Sequence, residues 1–187
     1  MPKIITRTQF GNPVLRQKAK ELSAEEILSD RIQMLINNMR HTLKERKYGI
    51  ALAAPQVGHN ICLSVIRIRP TRTRPNLPKD KWADLVIINP KITKKYGVKK
   101  QEWEGCISLA EVFAKVPRYP KIRLEYFDEK AQKNAKNFEG LLAQAIQHEV
   151  DHLHGILFTD RVEDKSTFMS GSEYRERIVK KNPTGVE

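Results

Sequence analysis

His148-Glu149-Val150-Asp151-His152 lies in a segment, about Asn137 to His154, whose apolar positions recur at helical spacing. Histidines four apart share one face of a helix, so both imidazoles can converge on a single cation. The glutamate beside the first histidine can reach a water on that cation without being a ligand. Leu141, Ala145, His148 and His152 continue one stripe at i, i+4, i+7 and i+11, which turns the histidines inward. Buried imidazoles need partners, and a metal supplies them. The chain's own His and Glu frequencies predict this pattern by chance roughly 0.01 times. Gly155 is expected to stop the helix.

Two segments upstream carry complementary chemistry. Glu104-Gly105-Cys106-Ile107-Ser108 sets a cysteine beside a glycine between strand-like stretches. Alone, that thiol reads as a small buried hydrophobe, as does Cys62 in Ile61–Ile68. Joined to the histidine pair, Cys106 completes a His2Cys set with one open position, a recognised form of catalytic site. Gly49-Ile50-Ala51-Leu52-Ala53-Ala54-Pro55-Gln56 offers small residues that let backbone approach a ligand closely. The Gln56 amide can donate to a developing oxyanion. Ile50, Leu141 and Ala145 are candidates for an apolar pocket wall, and each also suits ordinary core packing.

Further from the motif the fold class emerges. Ser23-Ala24-Glu25-Glu26 has the form of a capping box. Ile27, Ile32, Leu35, Ile36, Met39 and Leu43 then predict a long N-terminal helix running to about Lys47, ended by Gly49. Strands are expected at Ile61–Ile68, Leu85–Ile88, Val112–Val116 and Ile122–Phe127. Arg67–Trp82 holds Pro70, Pro75, Pro78 and six basic residues, which predicts an exposed loop, a tolerated surface insertion. Helix, strands, helix reads as α+β, with mainly antiparallel sheets packed around a central metal-binding helix. One catalytic domain over residues 1–163 is expected, followed by a polar, basic tail over 164–187. Within that tail Ser172–Lys181 is expected to form a short helix anchored by Ile178-Val179.

Composition narrows the class. With 40% apolar and 30% charged residues the chain suits a globular protein rather than a disordered one. No apolar run could span a bilayer, and Met1-Pro2-Lys3 opens no signal-peptide pattern, so a cytoplasmic address is expected. Two cysteines make no disulfide framework. The net charge of +12 invites a nucleic-acid reading, but the basic residues are dispersed, and a solvated basic surface is expected instead.

The three segments, in this order, resemble the signatures of the peptide deformylase family, G-x-G-L-A-A-x-Q, E-G-C-L-S and Q-H-E-x-D-H. Here they read Gly49–Gln56, Glu104–Ser108 and Gln147–His152. Gly11–Arg16, Ile88-Asn89-Pro90 and Leu153-His154-Gly155 extend the likeness over roughly Ile4 to Val162. The resemblance implies that Cys106, His148 and His152 bind one divalent metal and that Glu149 is the acid/base. It implies an oxyanion hole from the Gln56 side chain and the Ile107 backbone N–H. Gly49, Ile50, Ala51, Leu141 and Ala145 then become substrate-binding positions. The implied reaction is removal of the formyl group from the initiator methionine of nascent proteins, a metal-bound water attacking the formyl carbon and formate leaving. Ferrous iron is the family's usual ion, and zinc or nickel can replace it; ligand preference alone would suggest zinc. Formyl-methionyl nascent chains are the implied partners, with weak ribosome association through the basic surface or tail, and no membrane or specific nucleic acid. Ala51 stands where a second glycine is usual and Ile107 where leucine is common. Leu109–Phe113 lacks the proline and arginine that many bacterial members carry there. A peptidase cutting internal bonds would explain the five-residue motif and leave the other two segments unexplained. A non-catalytic protein that keeps the fold is the other rival.

Overall fold

The computed structural model describes residues 2–45 and 49–184. Its α+β architecture begins with a helix that breaks once. Ser23 caps α1 (Ala24–Leu28) through a complete capping box, its Oγ accepting from Glu26 N–H and Glu26 Oε2 accepting from Ser23 N–H. The expected continuous helix is instead two, because Ser29 takes extended backbone (φ −65°, ψ 145°) before α2 (Asp30–Glu45) begins. The apolar spacing holds the reason. Ile27 to Ile32 is a step of five, which no single helical stripe accommodates, and the break restores both residues to the core. The expected end near Lys47 lies outside the described residues.

Five strands form one antiparallel sheet in the order β1 (Ala51–Ala53), β2 (Leu63–Ile68), β3 (Ala83–Tyr96), β6 (Lys121–Phe127), β7 (Lys133–Glu139). A second sheet pairs β4 (Lys100–Cys106), β5 (Leu109–Arg118) and the short β8 (Met169–Ser170). The five-stranded sheet lies between α2 and α3 (Gly140–Leu153). Leu63, Val65, Val86 and Ile88 meet the Ile32–Leu43 stripe of α2 on one face. Ile66, Ile87, Ile122 and Leu124 meet Ala143 and Ile146 of α3 on the other. Covered on both faces, β2 is an almost unbroken apolar run rather than an alternating one.

Several strands exceed or escape the expected set. The expected Leu85–Ile88 extends to Tyr96, carried past Pro90 by an irregularity in which Asn89 adopts φ +48° and its amide bonds both backbone groups of Leu22. Asn137–Glu139, expected to open the final helix, instead ends β7, and Gly140 (φ +59°) makes the corner into α3. β4 exposes Lys100 and Gln101, and β7 exposes Lys133, Lys136 and Asn137, so both lack strong strand signals. Arg67–Trp82 is only partly the exposed insertion expected: Arg67 and Ile68 belong to β2, and Thr71 and Leu77 are buried. The C-terminal segment forms α4 (Gly171–Tyr174) continued by one π-helical turn to Val179. Tyr174 and Val179 are its buried anchors, whereas Ile178 is half-buried. Among the described residues no helix is long and apolar enough to cross a membrane.

Candidate metal centre

Helix α3 presents His148, Glu149 and His152, and the end of β4 brings Cys106 to them. The three potential donor atoms of Cys106, His148 and His152 all lie within 4.8 Å of one another, and Cys106 Sγ stands 3.3 Å from His152 Nε2. Donors sharing one tetrahedral ion stand about 3.3–3.8 Å apart, given metal–donor bonds of about 2.0–2.3 Å. The residues therefore fit a divalent metal. Burial alone would raise the Cys106 thiol, yet the His152 and His148 imidazoles pull it well below the usual thiol range. A thiolate between two imidazoles is a strong donor set for a transition ion.

Behind His148 stands a buried network of charged groups that sequence reasoning missed. Glu104 Oε2 lies 2.9 Å from His148 Nδ1, leaving Nε2 for the centre. The Arg118 guanidinium donates to both oxygens of Glu104, at 2.8 and 3.0 Å, and to Asp151 Oδ2 at 2.6 Å. Arg161 closes the other side of Asp151 at 2.8 Å. Burial would raise the Glu104 carboxyl, but Arg118 and His148 hold it at about 2. Gln147 works on the same helix face: it donates to Tyr119 C=O at 2.9 Å and accepts from Tyr119 N–H at 3.1 Å, tying α3 to the β5–β6 corner.

Glu149 is different. It is buried, its Oε2 has no hydrogen-bond partner, and burial raises its carboxyl to about 7. A buried carboxyl with one unbonded oxygen, lining a cavity, is poised to exchange a proton near neutrality.

Gln56 enters from the other side. Its Oε1 accepts from Ala53 N–H at 2.8 Å, which turns the NH2 group toward Cys106 Sγ at 3.2 Å and Ser108 Oγ at 3.3 Å. Gly49 (φ +78°) lets the first segment press on the second, since a Cβ there would sit 2.8 Å from Ile107 Cγ2. Gly105 clears space for the Phe113 ring in the same way. The N-terminal segment clamps both: Thr8 N–H donates to Gln56 C=O, Phe10 N–H to Ser108 C=O, and Arg7 Nη1 to Ile107 C=O, each at 2.8 Å. No sequence signal had marked Arg7.

A cavity of about 350 Å³ opens onto this centre. Gly49, Ile50, Ala51, Leu141 and Ala145 all line it, together with Gln56, Cys106, Ile107, His148 and Glu149. His152 lies beneath, 1% exposed. The Ala51 methyl is nearly buried and joins the core cluster under β1 with Ile66 and Ala145, so much of its bulk packs inward. The outer wall comes from unexpected places, with Arg72 and Arg74 of the proline-rich loop and Tyr174 and Arg175 of the C-terminal segment lining it.

A Cys-His-His group that fits a divalent metal, set beside a buried carboxyl and an amide donor, suits hydrolytic chemistry. Comparison with known proteins narrows this. The profile of the polypeptide deformylase family matches residues 4–168, so the chain belongs to that family and is a hydrolase. Peptide deformylase 2 of a Nostoc species is 35% identical over 179 residues, covering 96% of this chain and 97% of its own length. The Picosynechococcus peptide deformylase is 41% identical over 172 residues, covering 91% and 86%. Among solved structures, the class I type b peptide deformylase of Acinetobacter baumannii bound to Met-Ala-Ser superposes with a TM-score of 0.80 at 30% identity, over 87% of this chain and all of that one. The Synechococcus elongatus enzyme in complex with actinonin gives 0.75 at 38% identity, over 92% and 85%.

Proposed function

We propose that the protein removes the N-formyl group from the initiator methionine of newly made proteins, releasing formate. The observation that carries this reading is one cavity lined by Cys106, His148, the Glu149 carboxyl and the aimed Gln56 amide, with His152 completing the donor group beneath it. The Acinetobacter structure holds Met-Ala-Ser, a peptide beginning with unformylated methionine, and that supports a product-like ligand here.

Cys106, His148 and His152 would hold the metal, proposed as ferrous iron, with zinc or nickel able to replace it. When bound, such an ion supplies Lewis acidity that makes water nucleophilic near neutral pH. Glu149 Oε2 takes the proton from the attacking water and delivers it to the leaving amine. The Gln56 Nε2–H and the Ile107 N–H donate to the oxygen that gains charge as the formyl carbon turns tetrahedral. Ile50, Leu141 and Ala145 wall the methionine side chain, with the Gly49–Ala51 backbone alongside the peptide. Glu104 fixes the His148 tautomer and ring angle from behind. The proposed setting is the cytoplasm, the substrate being nascent chains at the ribosome, whose negative charge the +12 surface suits.

Anaerobically purified, iron-loaded protein should release formate from formyl-Met-Ala-Ser and leave the acetylated peptide intact. Glu149→Gln should retain the metal and lose at least about 100-fold in kcat, the usual scale for a missing general acid/base. Cleavage of internal peptide bonds with the formyl group untouched would mean that this is a peptidase.

A further inference from the structure

The outer wall of the cavity is built by two segments outside the three signatures, and they are strapped together. Arg72 and Thr73 form the tip of a tight turn whose ends, Thr71 and Arg74, exchange backbone hydrogen bonds at 3.2 Å each. Beyond it, Asn76 N–H donates to Pro183 C=O at 3.2 Å, joining the loop to the C-terminal segment. That segment is in turn fixed to β5. Met169 and Ser170 pair with Phe113 and Val112, the Tyr174 ring stacks on Phe113 (centroids 4.1 Å apart, planes within 2°), and Arg175 Nη1 meets Glu111 Oε2 at 2.8 Å. Trp103 packs edge-on against Tyr174 at 5.5 Å. An aromatic wall thus carries Arg72, Arg74 and Arg175 at the mouth of the cavity, with Glu111 paired to Arg175, Glu104 and Glu102 near Arg74, and Glu149 on the inner lining. Glu104, deeper in, is already answered by Arg118.

We infer that this wall is a specificity subsite favouring formylated peptides with an acidic side chain within the first residues after methionine. The inference rests on the proposed deformylase reading. Its basis is charge complementarity: a cationic lip beside the largely buried Trp103, Phe113 and Tyr174 rings attracts a carboxylate more strongly than open solvent would. Guanidinium groups also match a carboxylate in a two-pronged fashion. An isolated rim pair changes affinity by up to about fivefold.

The test uses the full-length, iron-loaded protein and C-terminally amidated peptides. Formyl-Met-Asp-Ala and formyl-Met-Ala-Asp are each compared with their Asn counterparts. At low salt, at least one Asp peptide should show a KM about threefold to fivefold below its Asn partner, with similar kcat. Arg72→Gln, at the exposed turn tip, and Arg175→Gln should each shrink that ratio, while Arg72→Lys should keep most of it. Lys136→Gln, which removes a charge from the distant β7 edge, should leave the ratio unchanged. Ratios of one at both positions would overturn the subsite, as would a ratio indifferent to the arginine changes or equally sensitive to Lys136. If none of the formylated peptides yields formate, the underlying deformylase reading has failed instead.

Discussion

Glu104 and Cys62 show how differently two ionisable residues shielded from solvent can be used. Glu104 Oε2 bonds His148 Nδ1 at 2.9 Å and is itself gripped by Arg118. Partners of this kind govern ligand orientation, so Glu104→Gln should weaken metal affinity about 10–100-fold in a chelator competition. Unchanged affinity would show that His148 needs no such support. Cys62, by contrast, is half-buried at the junction of the N-terminal segment and β2, its thiol donating to Ala19 C=O at 3.4 Å. Burial pushes this thiol up to about 11 from 9.0. Alkylation of Cys62 should therefore be slow at neutral pH and accelerate only as pH approaches 11. The sign for stability follows. Between pH 9 and about 11 the unfolded chain has released this proton and the folded one retains it, so this group's contribution falls as pH rises through that window. Rapid labelling at neutral pH would contradict the burial argument.

Among the elements, the N-terminal helical region is the clearest case of sequence and structure diverging for a local reason. The capping box at Ser23 forms as written, and Ser23→Ala should cost about 1 kcal/mol in denaturant unfolding. A loss near zero would mean that α1 is held by its core contact at Ile27 alone. The break at Ser29 was legible in principle, since the five-residue step from Ile27 to Ile32 departs from helical spacing. The α3 stripe was read correctly from Leu141 to His152, but its start was placed three residues early. Asn137–Glu139 completes the β6–β7 ladder, a non-local pairing that no helical window reveals. β4 escaped for a similar reason. Its sequence is polar, and only pairing with β5, opposite Glu104 and Ala114, makes it a strand.

At the scale of the whole molecule, Arg118 links the three-stranded sheet to α3. It leaves β5, meets Glu104 on β4 and Asp151 on α3, and is almost wholly buried. Replacing it with methionine of similar length would strand two buried carboxylates. Arg118→Met should cost about 3–5 kcal/mol of unfolding free energy, read from thermal or denaturant melts. A loss under about 1 kcal/mol would mean that water or Arg161 satisfies Asp151 and Glu104 without it. The same scale gives the C-terminal segment its role: Tyr174 completes the cavity wall only because β8 and the Phe113 stack bring it there.

The sequence by itself determined the candidate chemistry. Cys106, His148, Glu149, His152 and Gln56 were legible because helical periodicity and short signatures encode them locally, and the apolar stripes of α2 and β2 pointed to an α+β core. Only the tertiary structure decided what stands behind and in front of that chemistry. Glu104 and Arg118 are 14 residues apart on neighbouring strands, and Arg7 reaches Ile107 across 100 residues. Arg72 and Arg175 share a cavity mouth although they belong to a loop and a terminus far apart in the chain. Such partners meet through sheet pairing and core burial, interactions between distant segments that leave no periodic trace in either one.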